Sequence, residues 1–190
     1  MWGVNASLAP AALWGVFVLG AGALVTIPAS IAGAVGAEWI AGRALRRPPT
    51  VPDGSAVCTA LLLAPTLPPV MRWWMPALGG AFAILVAKTL FGGLGFNLFN
   101  PALAGRAFMM ATFPLAMTGA WTAPRAGFLG PLDAVPPATP LAALKERGLA
   151  EATRLVAGPD VWSGLALGFR PGSLGEVSAV LIALGAGVLV

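Results

Sequence analysis

Thr139 is the residue best suited, by type and position, to carry a covalently attached group. It precedes Pro140, which opens a short helical run from Leu141 to Arg147 that stops at Gly148. Proline suits the first helical position and threonine the position before it, so Thr139 is a natural N-cap. Two readings of its hydroxyl stand side by side. It caps the helix, or it holds a phosphate ester whose charge meets the unpaired N–H groups and positive dipole end of that helix. A second candidate place is Phe91-Gly92-Gly93-Leu94-Gly95-Phe96-Asn97, followed closely by Asn100. Its glycines let backbone approach a flat cofactor or a neighbouring helix, and the amides of Asn97 and Asn100 offer donors and acceptors to a ligand. The plain alternatives are loop formation by Asn97 and helix capping by Asn100. Arg106 suits anion binding and simple snorkelling about equally. Gly93-Leu94-Gly95 follows no strand and makes a poor nucleotide loop.

Residue types that are missing narrow the chemistry further. The sequence has no histidine and no tyrosine, which removes the usual near-neutral general base, the commonest metal ligand and a tyrosyl radical. Cys58 is the single cysteine. It excludes an intrachain disulfide, forms no metal centre alone, and has the apolar neighbours of a packing residue. Any redox chemistry must therefore come from a bound cofactor, and no metal-ligand set is expected. Glu38, Asp53 and Glu176 all have capping or interfacial explanations, so none is expected to mark an ion site. The eleven Lys and Arg are scattered, apart from Arg43, Arg46 and Arg47 behind an apolar run. That group reads as a cytoplasmic membrane anchor, and no nucleic-acid partner is expected.

The elements that must position these residues are membrane helices. Hydrophobic residues make up 58% of 190 positions and charged ones 9%, where a soluble domain has roughly a quarter charged. The expected fold is an all-α integral membrane protein with five to six transmembrane helices, several short or interrupted by Pro and Gly. Ala6 to Ala41 is too long for one span and short for two. It is either a helix kinked at Pro28 or a hairpin, and Gly20 and Gly22 favour a partial helix to Leu19 followed by a span from about Ala21 to Ala41. Asp53 or Ser55 caps a short helix from Ala56 to Leu67 that carries Pro65, and Trp73-Trp74 sit where an interfacial aromatic belt belongs. Pro76 to Phe91 is apolar except for Lys88, which is expected to snorkel to the headgroups. The glycine segment breaks the helix. Asn100-Pro101 then starts another, running to about Met117 with Pro114 near its far end.

Three regions follow: transmembrane helices over 1–117, an extramembrane loop over 118–172 holding Thr139, and a further span opening within 173–190. Ser173-Leu174-Gly175-Glu176 fits a capping box for that span. The run after it reaches Val190 without a charge or stop signal, so the natural protein is expected to continue. No cleavable signal peptide is expected, since Met1 is followed by Trp2-Gly3-Val4 without a basic region. With Arg43, Arg46 and Arg47 inside, parity puts Trp73-Trp74 outside, the glycine segment inside and the long loop outside.

The order of motifs resembles the RnfD/NqrB family, the membrane subunits of ion-translocating, flavin-dependent redox complexes, with RnfD favoured over NqrB. The resemblance rests on Asp53-Gly54-Ser55-Ala56, Leu61-Leu62-Leu63-Ala64 and Leu67-Pro68-Pro69. It extends through Phe91 to Asn97 into Phe99-Asn100-Pro101-Ala102, then Phe113-Pro114, Ala138-Thr139-Pro140-Leu141 and Gly172-Ser173-Leu174-Gly175-Glu176. It implies FMN held on Thr139 through a phosphoester bond made by a separate flavin transferase, in a Ser/Thr-Gly-Ala-Thr type motif with Asp133 upstream. Pro136 and Pro137 depart from that motif, where a small hydroxyl residue and glycine are usual. The resemblance also implies a second flavin, riboflavin, near Asn97 and Asn100. Other implications are electron relay between flavins while Na+ or H+ crosses a bacterial inner membrane, further Rnf- or Nqr-type subunits as partners, and a second related half. The alternatives are an NqrB-like component of a Na+-translocating NADH:quinone reductase, a transporter or channel-like protein without a redox role, and an inactive fragment.

Overall fold

The computed structural model describes residues 1–46, 50–69, 71–119, 144, 149 and 178–189. All regular elements among the described residues are helical. The first apolar stretch forms two helices, α1 (Trp2–Leu19) and α2 (Ala21–Ala44), separated at Gly20 with φ 72°. Only glycine takes that conformation without strain. Pro28 lies inside α2 without ending it, so the break falls at the glycine and the hairpin expectation holds. Its two free ends meet: Trp2 Nε1 donates to the Pro52 carbonyl and Asn5 Nδ2 to the Gly54 carbonyl, both at 3.0 Å, in the turn that follows α2.

That turn is a 3₁₀ segment, Val51–Asp53, ending at Gly54 with φ 75°. Asp53 Oδ1 accepts from the Ser55 amide at 2.7 Å, covering one of the free donors of α3 (Ser55–Leu63). Pro65 does not sit in an α-helix as expected. The chain tightens to a 3₁₀ turn over Ala64–Thr66 and goes extended at Leu67 before Pro68, since a residue ahead of proline is driven out of helical backbone. α4 (Trp74–Phe82) follows and widens into a π-helix over Ala83–Thr89. Asn100 caps α5 (Pro101–Thr112) by accepting from the Ala102 amide at 2.9 Å. α5 stops short of Met117: Phe113 leaves helical backbone ahead of Pro114, and a separate α6 (Pro114–Gly119) begins there. α7 (Ala179–Leu189) packs on α1, with Ser178 Oγ accepting from the Leu181 amide at 3.3 Å. The expected capping box over 173–176 lies outside the described residues, as does the expected long loop except for Thr118 and Gly119, which end α6, and Leu144 and Leu149.

The packing is that of a protein dissolved in lipid. α2 buries Ala23, Thr26, Ser30, Ala34, Ala37, Glu38 and Ala41, while Leu24, Val25, Trp39 and Ile40 are exposed. Small and polar residues face inward and large apolar ones outward, the reverse of a helix on a water-soluble core. The inward stripe lets backbones touch. A Cβ on Gly33 would run into the Ala77 carbonyl and one on Gly80 into that of Ser30, so glycine is required where α2 and α4 meet. α2 and α4 run in the same direction, with Gly22 against Pro69 at one end and Glu38 beside Lys88 at the other.

Candidate functional site

Charged groups collect at the second of these ends. Glu38, near the end of α2, and Lys88, in the π-helix, form a salt bridge with both side chains about 5% exposed. Lys88 Nζ also donates to Ser55 Oγ at the start of α3, and Thr50 Oγ1 donates to Glu38 Oε1 at 2.7 Å. One expectation is corrected here. Lys88 is buried against Glu38 and does not extend outward as a snorkelling side chain. The physical reason is pairing: an ammonium and a carboxylate are each too costly to bury alone, and each removes that cost for the other only in close, hydrogen-bonded contact. Sequence distance hid the pair, since fifty residues separate them.

The pair borders a cavity of about 180 Å³ that also touches Thr50, Asp53, Thr89, Gly92 and Gly93. Glu38 Oε2 is buried and has no hydrogen-bond partner among the described residues. The carboxylate thus spends one oxygen on Lys88 and Thr50, while the other makes no hydrogen bond to the described residues.

A second, larger hollow of about 580 Å³ lies between the π-helix and α5. It is lined by Phe82, Val86, Phe91, Phe99, Leu103 and Phe108, with Asn100 among them. Phe82 and Phe108 stack with centroids 4.1 Å apart and planes 6° from parallel. Such walls suit a flat, largely apolar ring system with few polar edges.

The sequence-predicted residues separate accordingly. Asn100 lines the groove, and its Oδ1 is engaged in capping α5. Asn97 lies in the loop before it, with a buried Oδ1 that has no partner among the described residues. The glycine segment is non-helical as expected, with Gly92, Gly93 and Gly95 at φ 107°, 106° and 90°. Thr139 and Asp133 lie outside the described residues. Among the described residues no three His, Cys, Asp or Glu side chains gather as metal ligands.

The whole chain, residues 1–190, matches the profile described as the NQR2, RnfD, RnfE family. The chain belongs to that family. It is 42% identical over 97% of its length to the D subunit of the proton-translocating ferredoxin:NAD(+) oxidoreductase complex of Clostridium ljungdahlii, and covers 55% of that protein. The D subunit of the ion-translocating oxidoreductase complex of Rhodobacter capsulatus is 40% identical over 96% of the chain, which covers 56% of it. The B subunit of the Na(+)-translocating NADH-quinone reductase of Yersinia pestis is 36% identical over 98% of the chain, which covers 44% of it. The chain thus spans about half the length of the curated relatives it matches. As a member of the NQR2, RnfD, RnfE family it is an all-helical membrane protein. Its buried charges therefore sit in a low-dielectric setting, where an ionisable group marks function more often than surface chance.

Proposed function

We propose that the protein containing this chain is the D subunit of an Rnf-type complex, passing electrons between flavins while Na+ or H+ crosses the membrane. The observation that carries this reading is the likeness, along nearly the whole of this chain, to about half of two proteins named as D subunits of such complexes, at 42% and 40% identity. In this reading Thr139 holds FMN through a phosphoester bond formed by a flavin transferase. Its place before Pro140 supports that role, because the helix start that Thr-Pro predicts there would favour a phosphate. The flavin loop faces the extracytoplasmic side of a bacterial inner membrane, and the other members of the complex supply donor and acceptor.

The groove beside α5 supports a second, non-covalent flavin, riboflavin. The stacked Phe82–Phe108 pair would form one wall against the ring, and the Asn97 and Asn100 amides would meet its polar edge. Flavin supplies the one- and two-electron chemistry; the chain's own residues bind it, keep water away and fix its distance from the next carrier. For the ion, the Glu38 cavity is one described place with a buried, unengaged carboxylate oxygen. A carboxylate oxygen left without a partner suits a proton.

The test is expression of the complete polypeptide together with a flavin transferase, followed by in-gel flavin fluorescence. The wild type is expected to fluoresce after denaturation, and Thr139→Val to accumulate normally and stay dark. Fluorescence that persists in Thr139→Val contradicts the assignment. A colourless wild type that takes up a solute favours the non-redox transporter, whose interrupted helices and buried charges would look similar.

A further inference from the structure

α2 is longer than the lipid it crosses. Its 24 residues span about 36 Å at 1.5 Å per residue, against a hydrocarbon core of roughly 30 Å. The overhang falls at the charged end, since a guanidinium is costly in hydrocarbon, so the last turn stands among the headgroups. Two kinds of residue share its outer side. Trp39 and Ile40 are 51% and 59% exposed, and Arg43 follows one turn beyond Trp39. The Arg43 guanidinium lies over the Trp39 ring, its carbon 4.2 Å from the ring centroid. Such stacking holds a flexible side chain against the helix and leaves the guanidinium edge, with its fork of N–H donors, open to an oxyanion.

No described carboxylate neutralises this end. Glu38 is engaged with Lys88 and Thr50, and Asp53 accepts from the Ser55 amide, which leaves Arg43 and Arg46 without an ion-pair partner among the described residues. Arg46 adds an independent sign. It lies just past the C-cap Leu45, with φ 50° and its amide donating to the Arg43 carbonyl at 3.3 Å. Glycine takes this conformation without strain and commonly ends a helix there. Arg46 is the one non-glycine residue with positive φ among the described residues, so a strained position holds a cation in place of the residue that would relieve it. Arg47 follows directly in the sequence. Cations gathered within one turn repel one another unless an anion joins them.

We propose that this end of α2 binds the headgroup of an anionic phospholipid, with Arg43 and Arg46 on its phosphate and Trp39 and Ile40 against the upper methylenes of its acyl chains. The order of chemistry along the helix selects a lipid. Apolar surface and cation lie on one face within about one turn, roughly 5 Å, as phosphate and upper chain do in a single amphiphile. A free phosphate would use the arginines and leave Trp39 and Ile40 uncovered. A zwitterionic headgroup brings its own ammonium and offers the arginines no net charge. The site is independent of flavin and of the electron-relay reading.

The test uses the complete polypeptide in its membrane complex, in nanodiscs of phosphatidylcholine with a trace of phosphatidylglycerol that carries a photoactivatable group high on one acyl chain. Attached lipid is located by peptide mapping after chymotryptic digestion. Labelling over 36–46 is expected to exceed that from identically tagged phosphatidylcholine by at least about fivefold, with 21–32 labelled alike by both. The double variant Arg43→Gln, Arg46→Gln is expected to bring labelling of 36–46 by phosphatidylglycerol down to the phosphatidylcholine level. Labelling that stays at the wild-type level in that variant overturns the proposal. So does equal labelling of 36–46 by the two lipids, or no label there from either, which marks the face as covered by protein. Inorganic phosphate in place of chloride at equal ionic strength is expected to leave the labelling unchanged; its loss would assign the arginines to a soluble anion and overturn the lipid. If the double variant does not assemble, the comparison of the two lipids on the wild type decides alone.

Discussion

At the scale of single residues, Asn100 combines two duties that can be separated. Its Oδ1 caps α5, and the residue lines the aromatic groove. Asn100→Ala is expected to lose about 1 kcal/mol through the missing cap, read as a lower thermal unfolding midpoint in detergent. Asn100→Ser keeps a capping oxygen and so keeps the midpoint. If the amide also meets a ring in the groove, the same variant loses the acid-extractable flavin while retaining the covalent one. Extractable flavin equal to wild type would leave Asn100 as a cap only. The cap was legible in the sequence because Asn-Pro is a local signal. The Lys88–Glu38 pair was not, because each residue alone has an ordinary explanation and only tertiary packing brings them together. The available signal was that Lys88 and Glu38 are each the single charge in an apolar run, so that each could answer the other.

At the scale of elements, glycine and proline placed most boundaries. Gly20 divides α1 from α2, and the glycine segment ends the π-helix. Proline acted more strongly than expected at Pro65 and Pro114, tightening one helix and splitting another. Nothing in Ala83–Thr89 announces a π-helix, since its residue types are those of any apolar helix. Close packing of α2 on α4 yields a paired prediction. Gly33→Val forces a side chain into the Ala77 backbone, whereas the same change at Gly36 enters open space. Gly33→Val is expected to destabilise by about 1–3 kcal/mol or more, measured as thermal unfolding in detergent, and Gly36→Val to leave the midpoint within about 0.5 kcal/mol. Equal effects at the two positions would contradict the described contact.

At the scale of the whole molecule, the inverted pattern of α2 and the buried charge pair describe a protein built for lipid. Parity from the basic cluster predicted which loops share an end, and the fold agrees. Glu38, Leu45, Thr50 and Leu94 border one cavity, while Trp74 meets Phe113 edge-on at the far end, centroids 5.5 Å apart. Single cysteines at positions 46 and 95, in a Cys58→Ala background, are expected to react with an impermeant maleimide from the same face of the membrane, and one at position 73 from the opposite face. Labelling of 46 and 95 from opposite faces would break the topology. Thr139 lies outside the described residues, and the helix start expected from Thr139-Pro140 is the physical reason proposed for a phosphate to settle there. Peptide mass mapping of the complete polypeptide, matured by its own flavin transferase, decides whether a flavin is carried there. The peptide containing Thr139 is expected to gain the mass of one FMN less water, a gain lost in Thr139→Val; an unmodified Thr139 peptide from the matured complex would contradict the electron-relay reading.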